Sequence, residues 1–389
     1  MDLISSLTQT KDPSAGDALS RVNTAFALDL YAQLRGNDGN LFFSPYSISS
    51  ALALTYAGAA GDTRSQMEKA LHFPQNEQVH AGFSRLGKDL ANTAKIEGVE
   101  LTVANSLWPL KGNKFLKEYL SLVRKAFGAR ITQLDFSDSE AARSRINAWV
   151  EDKTTSRIKE IVTPGALDAM TRLVLVNAIY FKADWTRKFN EAFTQPAPFF
   201  TGEDEPPEVQ LMKQESSFRY AHVEDLQVLE LPYAGGAFSM LVLLPDELNG
   251  LEKLEASLSP EKLDLWLNSL AETDVEVFLP RFELSYPFRL DGALKALGLT
   301  DAFSEAADFS GMNGAHDLYL GAVLHKAFVA VNETGTEAAA ATLAVMVTKA
   351  LSFPAATFRA DHPFLFLLRD NASGSLLFMG RLVRPESKG

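Results

Sequence analysis

The chain has 389 residues, of which 46% are hydrophobic, and a formal net charge of −12. This length suits one large domain or two average ones, and the acidic balance argues against nucleic acid and anionic membranes as partners. The longest apolar runs, "LVLVNAIYF" and "FSMLVLLP", are too short to cross a bilayer.

The chain contains no cysteine, which excludes disulfides, thiol nucleophiles and cysteine-ligated zinc. Its first residues lack the basic start and the apolar stretch of a signal peptide. Two locations therefore stay open: the cytoplasm, or the cell exterior after removal of a leader.

Helical patterns dominate the first third of the chain. An apolar residue every four positions from Val22 to Leu34 predicts the first helix. The run "NLFF" predicts a short strand that stops at Pro45, and further helical segments follow it. In "SDSEAARSRINAWVEDK", Ser137 and Glu140 are spaced as a capping box at the start of another helix.

Strand patterns dominate the rest. "RLVLVNAIYFKADW" predicts a buried strand, and "DLQVLELPYAGGAFSMLVLLP" predicts two strands joined by a glycine-containing turn. "VEVFLPRFELSYPFRL" is also typical of strands, and "DGALKALGL" predicts a short helix ending at Gly298. The mixture favours an α+β fold with large, mostly antiparallel sheets. Since no repeat or linker interrupts the chain, we expect one domain over residues 1–389.

Signatures of catalysis are absent from the sequence. There is no nucleophile elbow, phosphate-binding loop or zinc-protease helix motif, and the six histidines show no helical metal-ligand spacing. We therefore predict no enzyme activity, no metal site and no cofactor. A hydrolase whose site is assembled from distant residues is the disfavoured alternative.

Residues 337–351 contain four consecutive alanines and neither glycine nor proline. Helix propensity alone predicts a helix there. However, the strand-like run "AVLHKAFVAV" precedes the tract, and a proline-containing segment with another apolar run follows it. The alternative to an exposed helix comes from the motifs around it.

Several motifs in order, "NLFFSPYSISSALALTYAGAAGDT", "LPRFELSY", "HKAFVAVNETGTEAAAAT", "FRADHPFLFLL" and "LFMGRLVRP", resemble the serpin family over about residues 18–385. The chain is identified as an inhibitory member of prokaryotic type. This resemblance implies an α+β fold with three mostly antiparallel β-sheets and eight or nine helices. It also implies an exposed reactive loop over residues 333–357.

The same resemblance implies suicide inhibition of a serine protease. The protease cleaves the loop and forms an acyl-enzyme, and the loop inserts into the largest sheet before the acyl bond is hydrolysed. Insertion needs small side chains and a flexible pivot at Gly335. The implied hinge comprises Gly335, Thr336, Glu337, Ala338, Ala339, Ala340, Ala341 and Thr342. The alternative is a non-inhibitory serpin with a chaperone, carrier or storage role, which the permissive hinge disfavours.

Two further groups follow from the resemblance. One is an insertion gate at the top of the large sheet; its alternative is an exposed ion pair worth less than about 1 kcal/mol. The other is a polar cluster beneath that sheet, whose hydrogen bonds rearrange when strands part; its alternative is a static network. The gate comprises Glu333, Arg281 and Trp185, and the central polar cluster comprises Ser44, Ser47, Asn177 and His325.

Counting forward from the hinge with the usual family spacing places the cleaved bond at Lys349–Ala350. A lysine suits a trypsin-like protease. A backward count from "HPF" places the bond near Ser352–Phe353 instead, and Met346 and Leu351 leave chymotrypsin-like or subtilisin-like targets open. We expect a monomer that can form loop-mediated polymers.

Overall fold

A computed structural model describes residues 15–75, 78–336 and 354–385. The first two hinge residues fall within this part of the chain. The remaining hinge and bait residues lie outside the described residues: Glu337, Ala338, Ala339, Ala340, Ala341, Thr342, Lys349 and Ala350.

The described residues form ten α-helices, slightly more than the eight or nine expected, because two very short helices are included. No helix among these ranges is long and apolar enough to cross a membrane. The helices are α1 Ala15–Leu34, α2 Pro45–Tyr56, α3 Gly61–Ala70, α4 Gln78–Thr93, α5 Lys117–Phe127, α6 Ser139–Lys153, α7 Leu251–Ser257, α8 Pro260–Ser269, α9 Asp291–Ala296 and α10 Ser310–Asn313.

Sixteen strands accompany the helices in the described ranges. They are β1 Leu41–Phe43, β2 Val99–Pro109, β3 Arg130–Ile131, β4 Leu173–Asp184, β5 Gln195–Pro198, β6 Glu208–Val223, β7 Leu226–Pro232, β8 Phe238–Pro245, β9 Ala271–Pro280, β10 Phe282–Leu284, β11 Pro287–Arg289, β12 Leu320–Val331, β13 Gly335–Thr336, β14 Ala356–Arg359, β15 Phe364–Asp370 and β16 Leu376–Leu382.

Hydrogen bonding joins these strands into two networks. One has seven strands in the order β10-β12-β13-β4-β2-β3, with β11 on β12. The other has nine, in the order β1-β16-β15-β8-β7-β6-β9-β14, with β5 on β6. The 16-residue strand β6 pairs with β5 near its start and with β7 near its end. The strand β6 therefore joins two sections of sheet into one network, whereas the expected arrangement of three sheets counts these sections separately.

Two helix starts test the predicted caps. As predicted, the first strand stops before Pro45, and Pro45 opens α2 with the Ser44 side chain accepting a hydrogen bond from the Ser47 backbone N–H. The capping box at Ser137 is wrong by one residue. Asp138 caps α6 by accepting from the Ala141 N–H, while the Ser137 hydroxyl donates to Asp135.

The strands β4 and β12 pair directly and in parallel, with Leu173–Tyr180 beside Leu320–Phe328; we call this pairing the seam. Above the seam, β13 lies between the same two strands and runs antiparallel to both. One face of this sheet belongs to the main core, and the other packs against α6 and the segment that follows it. The hinge thus begins where the seam ends.

Candidate functional site

The hinge enters the sheet at Gly335 and Thr336. Thr336 is fully buried, and its hydroxyl shares a 2.8 Å hydrogen bond with the hydroxyl of Tyr233. Burial raises the pKa of Tyr233, so its hydroxyl stays protonated. A Cβ at Gly335 would lie 2.0 Å from the carbonyl oxygen of Ala183, so only glycine fits. The sequence predicts Gly335 as a flexible pivot. The structure gives a different reason for glycine here, because the close approach of β4 leaves no room for a side chain.

Glu333 lies just before the hinge and is only 3% exposed. Its carboxylate accepts hydrogen bonds from Arg281, at 2.5 Å from Nη2 and 2.7 Å from Nε, and from the Thr194 hydroxyl. A buried carboxylate with three donors differs from the exposed ion pair of the alternative interpretation. Removing Arg281 would leave a buried charge without its cation. The role of this pair as an insertion gate stays a prediction.

Trp185 ties the turn before the hinge to β4. Its indole N–H donates to the Asn332 carbonyl at 2.9 Å, and its backbone N–H donates to the Thr334 carbonyl at 2.8 Å. Its ring stacks on Tyr233 with centroids 4.4 Å apart. The structure thus brings all three predicted gate residues to the start of the hinge.

The central polar cluster lies under the seam and joins β4, β12 and α2. The backbone N–H of Ser44 donates to His325 Nε2 at 3.0 Å, so the imidazole proton is on Nδ1, which donates to Asn177 Oδ1 at 2.5 Å. The Asn177 amide donates to Ser47 and to Asn105 Oδ1. The four predicted residues therefore form one buried network, with Asn105 as a fifth member. His325 and Asn177 are register partners across the seam.

A comparison with protein families matches residues 21–385 to the family described as "Serpin (serine protease inhibitor)". The chain belongs to the serpin family. It is 44% identical over 381 residues to the human leukocyte elastase inhibitor, covering 95% of this chain and 100% of that protein. The Xenopus laevis leukocyte elastase inhibitor is 42% identical over 377 residues, covering 94% and 99% of the two chains.

Solved structures agree on the fold. Uncleaved ovalbumin superposes with a TM-score of 0.85 at 34% identity, over 94% of this chain and 99% of that one. A serpin of the insect Tenebrio molitor superposes with a TM-score of 0.86 at 30% identity, over 97% and 100%. The predicted serpin fold is confirmed. The relatives support serine protease inhibition and do not favour a non-inhibitory role, and they give no support to a member of prokaryotic type.

Sequence reasoning missed Tyr233, Thr194 and Asn105. Tyr233 ends the run "LPY" before a glycine turn, and Asn105 is a polar residue within the apolar pattern of β2. A polar residue within an otherwise buried strand is a signal for an internal hydrogen bond. Neither pattern identifies the partner, because the Tyr233–Thr336 contact spans 103 positions.

The buried His325 is expected to make the stability of this serpin sensitive to acid. Burial lowers the pKa of His325 to about 3, while an unfolded histidine titrates near 6.5. Between these values the unfolded chain binds a proton that the native protein excludes, so stability falls as the pH drops below about 6.5. At pH 5 we expect a loss of about 2 kcal/mol from this residue.

The measurement is urea unfolding at pH 7.5 and pH 5.0 for the native protein and His325→Gln. The glutamine amide keeps a donor and an acceptor but does not titrate, so the variant should lose less stability than the native protein between the two pH values. Equal losses would show that His325 does not cause the acid sensitivity.

Proposed function

We propose that this serpin is a suicide inhibitor of a serine protease. The protease cleaves the reactive loop, and the loop inserts along the seam while the acyl-enzyme persists. The observation that carries this proposal is the placement of Gly335 and Thr336. They lie between β4 and β12, antiparallel to both, directly above a closed parallel pairing. At Thr336, the last described residue before the loop, the chain therefore runs toward the seam.

The seam favours insertion energetically. Parallel pairing is slightly less stable per residue than antiparallel pairing. A strand entering in the direction of β13 replaces one parallel pairing by two antiparallel ones. The hinge residues after Thr336 are small, except for Glu337, so insertion adds backbone hydrogen bonds without large side chains to accommodate.

We further propose Lys349–Ala350 as the bait bond and a trypsin-like protease as the target. From Thr336 to Lys349 the chain has 14 residues, which span roughly 46 Å as a strand. Insertion of this length carries a tethered protease well along the molecule. Lysine fits the acidic specificity pocket of trypsin-like proteases.

An elastase-type target is the second candidate, because the curated relatives are named leukocyte elastase inhibitors. Elastases have a small specificity pocket, and the loop offers Val345, Val347 and Ala350 as small apolar residues near the expected bond. We also propose that the protein is a single-domain monomer without catalytic activity of its own. Its location is proposed to be the cytoplasm, or the exterior if a leader has been removed.

The test incubates the protein with trypsin and, separately, with pancreatic elastase. We expect trypsin to form a complex that survives boiling in detergent and to release a C-terminal peptide beginning at Ala350. Lys349→Ala should reduce the rate of trypsin trapping by at least a hundredfold, because the charge that fits the acidic pocket is lost, whereas Lys349→Arg should retain it.

A released peptide with another first residue, together with normal trypsin trapping by Lys349→Ala, would remove Lys349 as the bait. Efficient trapping of elastase alone would favour the second candidate. Cleavage by every protease without any stable complex would overturn inhibition itself.

A further inference from the structure

Two Asn-Gly dipeptides occur in the chain, Asn249–Gly250 just before α7 and Asn313–Gly314 at the end of α10. Asparagine is chemically labile, and a following glycine makes it more so, because glycine has no Cβ to hinder its backbone nitrogen from reaching the asparagine side chain. In a folded protein the reaction also requires that the side chain be free to turn toward that nitrogen. The two asparagines differ in this freedom.

The side chain of Asn313 is held by three hydrogen bonds. Its amide nitrogen donates to Asp317 Oδ1 at 2.7 Å and to Asn113 Oδ1 at 3.3 Å. Its amide oxygen accepts from the Ala315 backbone N–H at 2.9 Å. Because these contacts engage both ends of the amide, the side chain cannot turn toward the next backbone nitrogen unless all three break. The native structure therefore protects Asn313.

The side chain of Asn249 is free by comparison. It is exposed, as is the whole turn Asp246–Asn249 between β8 and α7, and it makes no hydrogen bond to any part of the chain that the structure describes. The Gly250 N–H donates to the Glu247 carbonyl at 2.9 Å, and this bond must open before the nitrogen can react. Local opening of an exposed turn needs little free energy compared with global unfolding.

We propose that Asn249 is a site of spontaneous deamidation whose product loosens the start of α7, while Asn313 stays intact. The Gly250 nitrogen attacks the side-chain amide carbon of Asn249, and the new C–N bond closes a succinimide ring. The old C–N bond to the amide nitrogen breaks, and this nitrogen leaves as ammonia with the proton from Gly250. Water then opens the ring at one of its two carbonyls and leaves aspartate or isoaspartate. The balance is one water consumed and one ammonia released, without oxidation or reduction.

Isoaspartate at this position would disturb α7, because it adds a methylene group to the backbone directly before Gly250. Gly250 has little room to adjust, since the position of a Cβ on it would lie 2.6 Å from Pro245 Cβ. Its carbonyl accepts a hydrogen bond from the Leu254 N–H at 3.0 Å in the first turn of α7. The same helix carries the buried Glu255, which accepts from Arg381 at 3.0 Å. A shift of the helix start would therefore weaken a buried ion pair.

The experiment incubates the native protein at mildly alkaline pH and samples it over weeks. Each sample is denatured, digested and analysed by mass spectrometry, in which deamidation adds about 1 Da to a peptide. Because three hydrogen bonds must break before Asn313 reacts, we expect Asn249 to convert at least about tenfold faster. A parallel sample in urea should convert both sites at similar rates. The melting temperature of the aged native protein should fall by about 2 °C or more.

The matched control is Asn249→Gln, which keeps the exposed amide but would have to close a larger ring, so it should age without loss of melting temperature. Asn249→Asp supplies the new charge with a normal backbone and should melt above the aged protein. Treatment of the aged protein with an isoaspartyl methyltransferase and S-adenosylmethionine should restore part of the loss. Equal conversion of Asn249 and Asn313 in the native protein, or no conversion at Asn249, would overturn the site. Conversion without a change in melting temperature would overturn its effect on α7.

Discussion

Replacing Thr336 by arginine is expected to turn this inhibitor into a substrate. Thr336 is fully buried between β4 and β12, with its hydroxyl on Tyr233. An arginine there would place an unpaired charge in the sheet, which costs several kcal/mol. Because Thr336 already lies in the sheet before cleavage, the charge should expel Gly335 and Thr336 from it. Insertion would then have to bury the charge and would become slower than hydrolysis of the acyl-enzyme, so trypsin would be released active and the loop would be cut.

The measurement is the stoichiometry of trypsin inhibition, which should rise at least tenfold for Thr336→Arg. Thr336→Ser is the control, since it keeps the small size and the hydroxyl and should trap trypsin normally. Ala340→Arg, further along the hinge, should act like Thr336→Arg. If Thr336→Arg trapped trypsin with wild-type stoichiometry, entry of the loop along the seam would be the wrong mechanism.

Cleavage of the loop between Val345 and Leu351 should raise the melting temperature by roughly 20 °C or more. The inserted strand would add on the order of ten backbone hydrogen bonds at about 1 kcal/mol each. In a protein of this size, each kcal/mol shifts the melting temperature by about 2 °C. The uncleaved protein is thus expected to be metastable.

Calorimetry of the uncleaved protein and of the protein cut by a catalytic amount of protease tests this expectation. The Thr336→Arg variant, cleaved in the same way, serves as the comparison. Its charge opposes burial of the same strand and should reduce the rise in melting temperature on cleavage. A cleaved wild-type protein that melts with the uncleaved one would support a non-inhibitory serpin.

Much of the fold can be predicted from the spacing of apolar residues along the sequence. The apolar run of β4 and the two strands around the turn at residues 234–236 are where their patterns place them, because each buries a continuous apolar face. The start of α6 was one residue out because Ser137 and Asp138 are both good capping residues. The joining of two sheet sections through β6 was not predictable, because it depends on which partners a long strand meets along its length.

Some features of the candidate site could likewise be predicted from the sequence, and others could not. The residues of the gate and of the polar cluster came from motif resemblance, and the structure places each group together. The burial of Glu333 and the contact between Tyr233 and Thr336 depend on packing between segments far apart in the chain.

The pairing of β12 with two different partners has a consequence for how the chain reaches its native state. Across the seam, Leu320 pairs with Leu173, 147 positions away, whereas Val331 pairs with Thr336, five positions away. Local hairpins form within about 1–10 μs, and distant pairs close far more slowly. A chain diluted from denaturant is therefore expected to form the local pairing before the distant one. On the ribosome, β4 emerges about 7 to 30 s before β12 at 5–20 residues per second. During synthesis β4 is therefore already available when β12 emerges, and this order favours the distant pairing.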